Sequence, residues 1–317
     1  MALFLSEGEV RELLTMDLAM EAVEAAHRAH ALGRAVDVPR QRTRVPGASL
    51  HILQGALQDE GVMGYKAYTA SQEGVRFLVH LFDAASGRLQ AVIAADFLGM
   101  MRTGAAGGVA AQHLARPEAA TVGLIGAGWQ AQSQLAALCK VRPIQQVKLF
   151  SRDAEKRRAA SADFSRRYGV EVVAADSAEA AVRDSDIVAT ITTASAPVVM
   201  GDWLASGTHI NAAGSNALIR RELDEKAVGR AALVCVDSRE TALREAGDLL
   251  PALEKGRLHA GQLVELGELV AGIRPGRTSA EAITLFESQG MAIQDLALAV
   301  RILRLARAQG LGAELPY

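Results

Sequence analysis

The chain has 317 residues, and at roughly 150 residues per domain this length favours two domains. Half of the residues are hydrophobic and 22% are charged, a composition typical of a globular protein with a sizeable core. The net charge is −2 and aromatic residues make up 4%, which argues against a basic or base-stacking surface and therefore against a nucleic-acid partner.

The N-terminal part is predicted to be helical at first and then rich in strands. The first thirty residues have a helical pattern, since apolar residues recur every three to four positions in 16–31. His27 and His30 lie three apart on this helix, where a solvated face is favoured over a metal site. Strand-like runs with hairpin spacing follow, and then an Ala- and Gly-rich helical stretch; the runs are 50–53, 62–68, 75–82 and 89–94, and the helix is 97–115.

From residue 120 onward, short apolar runs alternate with segments of helix length. Such runs, separated by helices, are typical of a parallel sheet with crossover connections. The tail from Ser279 is predicted to be helical, with a long amphipathic helix at 291–308. The sequence therefore predicts an α/β fold with a parallel sheet, whose strands we expect at 121–125, 147–150, 170–173, 187–192, 209–213 and 233–236.

Cysteine usage and the character of the first ten residues favour a cytoplasmic protein. Cys139 and Cys235 are too few for a disulfide framework and too far apart for a CxxC metal or redox pair. The first ten residues lack the basic and apolar regions of a signal peptide. No apolar run reaches the roughly 18 residues of a membrane span, so we expect no membrane partner.

A glycine-rich turn after the first parallel strand predicts a dinucleotide site. The run Leu124-Ile-Gly-Ala-Gly-Trp-Gln-Ala131 matches G-x-G-x-x-A, follows an apolar strand and opens a helix. Gly126 permits the tight turn, Gly128 lets the backbone approach a pyrophosphate, and Ala131 lets the helix pack close to the strand. The N terminus of that helix would supply N–H groups to the phosphates.

The end of the second parallel strand distinguishes between the two nicotinamide cofactors. An NAD site usually places an acid there for the ribose 2′-hydroxyl, whereas this chain has Ser151 followed by Arg152. A hydroxyl and a guanidinium suit a 2′-phosphate, so NADP(H) is preferred over NAD(H). The alternative is that Asp153 binds the ribose while Arg152 is merely solvated.

Three basic residues in apolar or small-residue surroundings are candidates for binding a substrate carboxylate. Arg42 lies in a proline-broken segment that also carries Arg40 and Arg44, Lys66 lies on a strand-like run, and Arg102 is flanked by small residues. Cations held beside buried strands need an anionic partner. A substrate carboxylate would supply it, but structural salt bridges explain each residue equally well.

The series of motifs resembles the ornithine cyclodeaminase/mu-crystallin family over nearly the whole chain. The matching stretches are GVMGYKAYT from Gly61, MRTGA from Met101, LIGAGWQA from Leu124, HINAAGS from His209, VDS from Val236 and FESQGMAIQD from Phe286. The resemblance implies a Rossmann-type, doubly wound NAD(P)-binding domain at 118–288. It also implies a smaller α+β domain for substrate binding and homodimer formation, made of 1–117 and 289–317.

The resemblance also implies roles for individual residues. Arg42, Lys66 and Arg102 would hold the substrate carboxylate and the adjacent amine or imine, and Gln289 would lie on the substrate side. Trp129 and Gln130 would lie at the pyrophosphate. The groups around the nicotinamide half would be Thr192, Gly214, Asn216, Arg220 and Ser288. No metal is expected.

Two departures argue against ornithine cyclisation. Ornithine cyclodeaminases carry an acid/base Asp in the loop after Gly214, where this chain has Asn216, and asparagine cannot accept a proton. They also place a Glu near the segment 51–54, which here has no carboxylate. We therefore expect an NAD(P)-dependent oxidoreductase acting on the C–N bond of a small α-amino or α-imino acid, with Lys66, Arg102 and Asn216 at the reacting centre.

A cyclic imine such as pyrroline- or piperideine-2-carboxylate is the favoured substrate. Three alternatives stay open. They are ornithine cyclodeaminase itself, an alanine-type amino-acid dehydrogenase, and a non-catalytic protein that binds NADPH and a small ligand.

Overall fold

A computed structural model describes residues 1–316 of the chain, which divide into two compact units. The strand-rich unit comprises Met1–Arg102 and the described residues from Gly290 onward, and the parallel-sheet unit comprises Thr103–Gln289. The first division falls between Arg102 and Thr103, inside the helix Asp96–Leu114, and so lies before the expected boundary at residue 117. The second falls beside the expected boundary at 288.

The chain forms fifteen strands and eleven α-helices within the described residues. In chain order they are β1 (Ala2–Leu5), α1 (Glu7–Leu13), α2 (Met16–Ala31), β2 (Ala35–Val45), β3 (Ala48–Leu57), β4 (Val62–Ser71), β5 (Gly74–Asp83), β6 (Leu89–Ala94), α3 (Asp96–Leu114), β7 (Thr121–Ile125), α4 (Ala131–Val141), β8 (Gln146–Phe150), α5 (Ala154–Tyr168), β9 (Glu171–Ala174), α6 (Ala178–Val182), β10 (Ile187–Thr190), β11 (His209–Ala212), α7 (Glu225–Arg230), β12 (Ala231–Val236), α8 (Arg239–Glu245), α9 (Leu250–Glu254), β13 (Val264–Glu265), α10 (Leu266–Val270), β14 (Ile283–Glu287), α11 (Ala292–Gln309) and β15 (Ala313–Leu315).

The strand-rich unit is built on a seven-stranded mixed sheet with the order β15-β1-β6-β5-β4-β3-β2. Helix α11 packs over β3 and β4, where Gly55 and Gly64 allow it to approach closely. A Cβ on Gly64 would lie 2.9 Å from the Leu296 side chain, and one on Gly55 would lie 3.3 Å from Ile293. The glycines therefore bring the first turns of α11 down onto this face of the sheet.

The parallel-sheet unit contains eight strands in the order β13-β12-β14-β11-β10-β7-β8-β9, and every pair is parallel. Apolar side chains fill both faces, as this topology requires. The order reverses on either side of β7, as in a doubly wound sheet. The predicted α/β, Rossmann-type architecture is confirmed.

Three expectations from the sequence were wrong. The N-terminal thirty residues begin with a strand, β1, and only then form α1 and α2. The tail from Ser279 contains β14, which lies between β11 and β12 and is buried on both faces. Short buried strands carry no alternation that would separate them from a helical turn. His27 is fully buried rather than solvated.

No helix among residues 1–316 is long and apolar enough to cross a membrane.

Candidate active site

The turn after β7 has the features that a bound pyrophosphate requires. Gly126 has φ +118°, and a Cβ there would lie 2.7 Å from the Ile191 carbonyl oxygen. A Cβ on Gly128 would meet no protein atom within 4 Å, so the protein's own packing does not demand glycine at this position. The backbone can therefore come close to a ligand there.

The start of α4 is open to an anionic group. Gln130 is the N-cap residue, and its side chain makes no capping hydrogen bond. Ala131 is fully buried, as close packing of helix on strand requires, and Trp129 is 46% exposed. The turn thus fits a dinucleotide phosphate by its own geometry.

The side chains after β8 that are available to the adenosine ribose are positively rather than negatively charged. The carboxylate of Asp153 caps α5 by accepting from the N–H groups of Glu155 and Lys156, each at 3.0 Å. That capping leaves Asp153 poorly suited to bind a ribose. Arg152 is exposed beside half-buried Ser151. Arg157, which sequence analysis missed, donates to the Ser151 carbonyl oxygen at 2.7 Å and brings a second guanidinium here.

A buried carboxylate, also missed by sequence analysis, joins two of the predicted nicotinamide-side residues. Glu222 is fully buried and accepts from Thr192 N–H at 2.6 Å, Gly214 N–H at 2.7 Å and the Thr190 hydroxyl at 2.9 Å. A Cβ on Gly214 would lie 2.5 Å from a Glu222 oxygen, so the close approach needs glycine. Glu222 therefore fixes the loops that follow β10 and β11.

Burial raises the pKa of Glu222, although its three hydrogen bonds act in the opposite direction. The neighbouring Asp248 accepts from the N–H groups of Glu222 and Leu223 at 2.6 and 2.8 Å. Burial first, and the charge of Glu222 as a smaller cause, raise the pKa of Asp248 to about 7. Glu222 and Asp248 therefore fix the conformation of these loops by accepting hydrogen bonds from their backbone N–H groups.

The remaining nicotinamide-side residues, together with Gln289 of the predicted substrate side, lie on loops at the carboxyl edge of the parallel sheet. Asn216 and Arg220 follow β11, where Asn216 N–H donates to the Gly214 carbonyl oxygen at 3.1 Å. Ser288 and Gln289 follow β14 and are both buried. The Ser288 hydroxyl bonds the Asp237 carboxylate at 3.0 Å, and the Gln289 amide donates to Glu287 at 3.0 Å. Ligands of open α/β sheets bind at this edge.

In the strand-rich unit, Lys66 and Arg102 meet at one carboxylate. Lys66 Nζ on β4 lies 2.6 Å from Asp295 Oδ2, and Arg102 Nε lies 3.3 Å from Asp295 Oδ1. The Lys66 and Asp295 side chains are 2% and 0% exposed. Asp295 lies in the first turn of α11, where a negative charge is favoured. It was not predicted as a site residue, although it ends the FESQGMAIQD motif.

The pKa of Lys66 is lowered to near neutral pH. Burial first, and the positive charges of Arg102 and Arg40, lower the pKa of Lys66 to about 7. The ion pair with Asp295 acts in the opposite direction but does not compensate. A lysine with such a pKa can give up or take a proton near neutral pH.

Arg102 is held by further contacts on the α11 side. Its Nη1 donates to Gln294 Oε1 at 3.3 Å, and the amide of the same Gln294 donates to His27 Nε2 at 3.0 Å. The guanidinium packs against Gly290, where φ is +81° and a Cβ would collide with Arg102 Nη1. These contacts explain both the burial of His27 and the glycine before α11.

Arg42 lies on the same sheet face as Lys66, further along the strands. The antiparallel register pairs Arg42 with His51, His51 with Tyr68 and Tyr68 with Phe77. The His51 ring stacks on Tyr68 with centroids 4.3 Å apart. Burial first, and then Arg42, lower the pKa of His51 to about 4, so the imidazole is neutral near pH 7.

Within residues 1–316, no three His, Cys, Asp or Glu side chains lie close enough together to bind one metal ion. The parallel-sheet unit contains a cavity of about 800 Å³ between α7 and α9, and no predicted site residue lines it. Each unit thus carries its own set of candidate site residues, described above.

The family model for ornithine cyclodeaminase and mu-crystallin matches residues 1–309. The chain belongs to the ornithine cyclodeaminase/mu-crystallin family. The resemblance found in the sequence is thereby confirmed.

Within this family, curated relatives match almost end to end. An alanine dehydrogenase of Archaeoglobus fulgidus is 35% identical over 99% of this chain and 98% of its own length. A Δ1-pyrroline-2-carboxylate reductase of Bacillus cereus is 32% identical over 99% of this chain and 100% of its own. An iminosuccinate reductase of Paracoccus denitrificans is 30% identical over 98% and 99%.

Solved structures of family members superpose closely. The Thermococcus litoralis Δ1-pyrroline-2-carboxylate reductase, in complex with NADH and L-proline, has a TM-score of 0.95 at 33% identity and covers 99% of this chain and 100% of that one. An archaeal alanine dehydrogenase dimer with bound NAD has a TM-score of 0.94 at 33% identity, covering 100% and 99%. These relatives are imine reductases or dehydrogenases that bind NAD(H).

Proposed function

We propose that the chain is an NAD(P)H-dependent reductase of small α-imino acids, with cyclic imines such as pyrroline- or piperideine-2-carboxylate as favoured substrates. The observation that carries the proposal is the buried cluster of Lys66, Arg102 and Asp295. It combines the guanidinium of Arg102, a group that suits a substrate carboxylate, with the amine of Lys66, whose pKa is lowered to about 7. A structural salt bridge alone would not need a lysine so weakly stabilised in its charged form.

Arg42 and Arg102 are assigned to the substrate carboxylate, which fixes the imine carbon for reaction. Lys66 is assigned to the imine nitrogen, which gains a proton as the carbon gains hydride. Asp295 is a positioning residue, since it holds both Lys66 and Arg102. Gln289 is assigned to the substrate side, and Asn216 to the reacting centre as a neutral hydrogen-bonding group.

Reduced nicotinamide would supply the hydride when bound. Gly126, Gly128, Trp129, Gln130 and Ala131 are assigned to its pyrophosphate. Thr192, Gly214, Asn216, Arg220 and Ser288 are assigned to its nicotinamide half.

NADP(H) is proposed over NAD(H), with Ser151 and Arg152 at the 2′-phosphate. The capping role of Asp153 and the presence of Arg157 support this preference.

Ornithine cyclodeaminase is the second candidate, and the cation-rich surroundings of His51 disfavour it. The second ammonium of ornithine would lie near Arg40, Arg42 and Arg44, whose charges all act on His51. Like charges there oppose binding of a diamino acid. An alanine-type dehydrogenase remains a variant of the main proposal. A non-catalytic binding protein would not need a lysine with a pKa near 7.

A homodimer in the cytoplasm is proposed from the family relationship. On the sheet face opposite Lys66, the apolar side chains of Val36, Met63 and Leu78 are 50%, 41% and 37% exposed. An exposed apolar face of this kind supports self-association.

Two parallel incubations of the purified protein test the proposed function. NADPH absorbance is followed with pyrroline-2-carboxylate, and ammonia is assayed with ornithine. The proposal expects NADPH consumption in the first and no ammonia in the second. Ammonia and proline from ornithine without net cofactor change would contradict it.

A further inference from the structure

His27 is buried, although the reaction proposed above gives it no role. It lies on α2 and is fully buried, whereas the other buried residues of that helix are all apolar. Helix α11 packs against α2, and an apolar side chain would fill this interface without the free-energy cost of burying a polar ring. A histidine at this position therefore calls for an explanation beyond packing.

The amide of Gln294, in the first turn of α11, joins His27 to Arg102. Gln294 Nε2 lies 3.0 Å from His27 Nε2, and the Gln294 side chain is itself fully buried. Gln294 Oε1 lies 3.3 Å from Arg102 Nη1 and 3.3 Å from the backbone nitrogen of Met291. One amide thus connects the histidine with the guanidinium that is assigned to the substrate carboxylate.

Groups that can only donate hydrogen bonds determine which way this amide faces. A guanidinium and a backbone N–H can only donate, so the group that faces Arg102 and Met291 must be the amide oxygen. The amide NH2 group, which also can only donate, then faces His27 Nε2. That ring nitrogen must accept, so His27 is neutral and carries its proton on Nδ1.

Two contacts to α11 hold the guanidinium of Arg102. Its Nε lies 3.3 Å from Asp295 Oδ1, and its Nη1 lies 3.3 Å from Gln294 Oε1. Because the two contacts engage different nitrogen atoms, they fix the plane of the guanidinium, whereas one contact alone would let it rotate. A carboxylate that is bound through two parallel hydrogen bonds needs this plane to be fixed.

We propose that His27 is a positioning residue for Arg102, because it holds the Gln294 amide with its oxygen towards the guanidinium. This inference rests on the proposed function, in which Arg102 binds the carboxylate of the imino acid. Without an acceptor at His27, the NH2 group of Gln294 loses its buried partner, and a flipped amide would turn this group towards Arg102. Two donors would then face each other, and Arg102 would lose one of the contacts that orient it.

The test compares His27→Phe with His27→Gln by the KM for pyrroline-2-carboxylate, kcat and NADPH affinity. Phenylalanine keeps the shape of the ring without an acceptor, whereas the side-chain oxygen of glutamine can replace Nε2 as the acceptor. We expect His27→Phe to raise KM by about tenfold, with a smaller effect on kcat and unchanged NADPH affinity. His27→Gln should stay within about twofold of wild type. A pure packing role predicts the reverse order of the two variants, and that result would overturn the inference.

A double-mutant cycle with Gln294→Met tests whether His27 acts through the amide. Gln294→Met removes the amide but keeps the length of the side chain, so adding His27→Phe should raise KM no further. Effects of the two changes that multiply would overturn the inference. The matched control is His30→Phe on the same helix, where His30 is half-buried, and it should leave KM unchanged. A KM raised equally by His27→Phe and His30→Phe would also overturn the inference. Folding of each variant is checked by circular dichroism.

Nuclear magnetic resonance of the histidine ring nitrogens tests the arrangement without any turnover. The chemical shifts distinguish a proton on Nδ1 from one on Nε2, and the signals of His27 are those that disappear in His27→Phe. We expect wild type to carry the proton on Nδ1 near neutral pH. A proton on Nε2, or a charged ring, would overturn the inference even if the protein reduces imines normally. Failure of the wild type to reduce any imine would instead overturn the proposed function, whatever the tautomer of His27.

Discussion

Lys66 and Asp295 form an ion pair that is withdrawn from water, with Nζ and Oδ2 2.6 Å apart. The two residues come from β4 and from the first turn of α11, so the pair ties the helix to the sheet. Because Arg102 shares the carboxylate, Asp295 balances two cations at once. The pair links the stability of the strand-rich unit to the chemistry proposed for it.

Replacing the shared carboxylate should destabilise the protein. Asp295→Asn leaves Lys66 and Arg102 without their counter-charge, which for buried pairs costs about 3–5 kcal/mol. Urea unfolding measures the loss. Glu179→Gln breaks the exposed pair with Arg183 and should change the free energy of unfolding by at most about 1 kcal/mol. Equal effects of the two variants would contradict a structural role for Asp295.

The pKa of Lys66, lowered to about 7, predicts a pH-dependent reductase. If the protonated amine serves the imine nitrogen, kcat/KM for reduction should fall as pH rises through about 7. Lys66→Arg stays charged, so any residual activity should lack this fall, which also controls for titration of the imine itself. A profile flat from about pH 6 to 9 in the wild type would be inconsistent with the role of Lys66.

The same pKa shift makes a prediction about stability, with a defined sign. The folded pKa of Lys66 lies below the unfolded value of 10.5, so the unfolded chain binds more protons between them. The contribution of Lys66 to the free energy of unfolding should therefore become more favourable as pH rises from about 7 towards 10. Urea unfolding of wild type and Lys66→Met across this range measures the difference, which should not grow if Lys66 titrates normally.

The glycine before α11 should be needed for binding substrate. Gly290→Ala places a Cβ against the Arg102 guanidinium at φ +81°, so we expect a raised substrate KM with cofactor binding unchanged. Gly310→Ala is matched in conformation, with φ +67°, but its Cβ meets nothing within 4 Å. It therefore reports the strain of the backbone alone. A substrate KM raised equally by both variants would exclude a specific effect on Arg102.

Cofactor preference should depend on the arginine that follows β8. Arg152→Ala should lower the ratio of kcat/KM for NADPH to that for NADH by about tenfold, because a charge-assisted contact to the 2′-phosphate is lost. Arg166→Ala removes an exposed guanidinium at the far end of α5 and should leave the ratio unchanged. A wild-type preference for NADH that Arg152→Ala does not alter would refute the assignment.

The sequence predicted the motif-bearing parts of this fold well and its short strands poorly. The G-x-G-x-x-A turn, the parallel strands and the long C-terminal helix follow from local periodicity and glycine placement. β14 was missed because five buried residues carry no period that separates strand from helix. β2 was not predicted as a strand, because Pro39 and Pro46 suggested a broken segment, whereas the register shift between Val38 and Gln41 accommodates Pro39.

The positioning carboxylates could not have been found from the residues alone. Asp295 and Glu222 act on groups that are distant in sequence, such as Lys66 and Thr192, and only the tertiary fold brings them together. An acid in the first turn of a helix has an ordinary explanation as a favourable charge at the helix N terminus. The sequence provided only the general expectation that a buried cation such as Lys66 needs an anionic partner. In the structure that partner is Asp295 of the protein itself.

The most direct test of the central claim is NADPH oxidation by wild type and Arg102→Ala with pyrroline-2-carboxylate and with piperideine-2-carboxylate, together with NADPH affinity measured by calorimetry on the same samples. The account predicts turnover by the wild type with at least one of these imines, loss of that turnover in Arg102→Ala, and equal NADPH affinity in both proteins. Unchanged turnover in Arg102→Ala, or a wild type that binds NADPH but reduces neither imine, would contradict it.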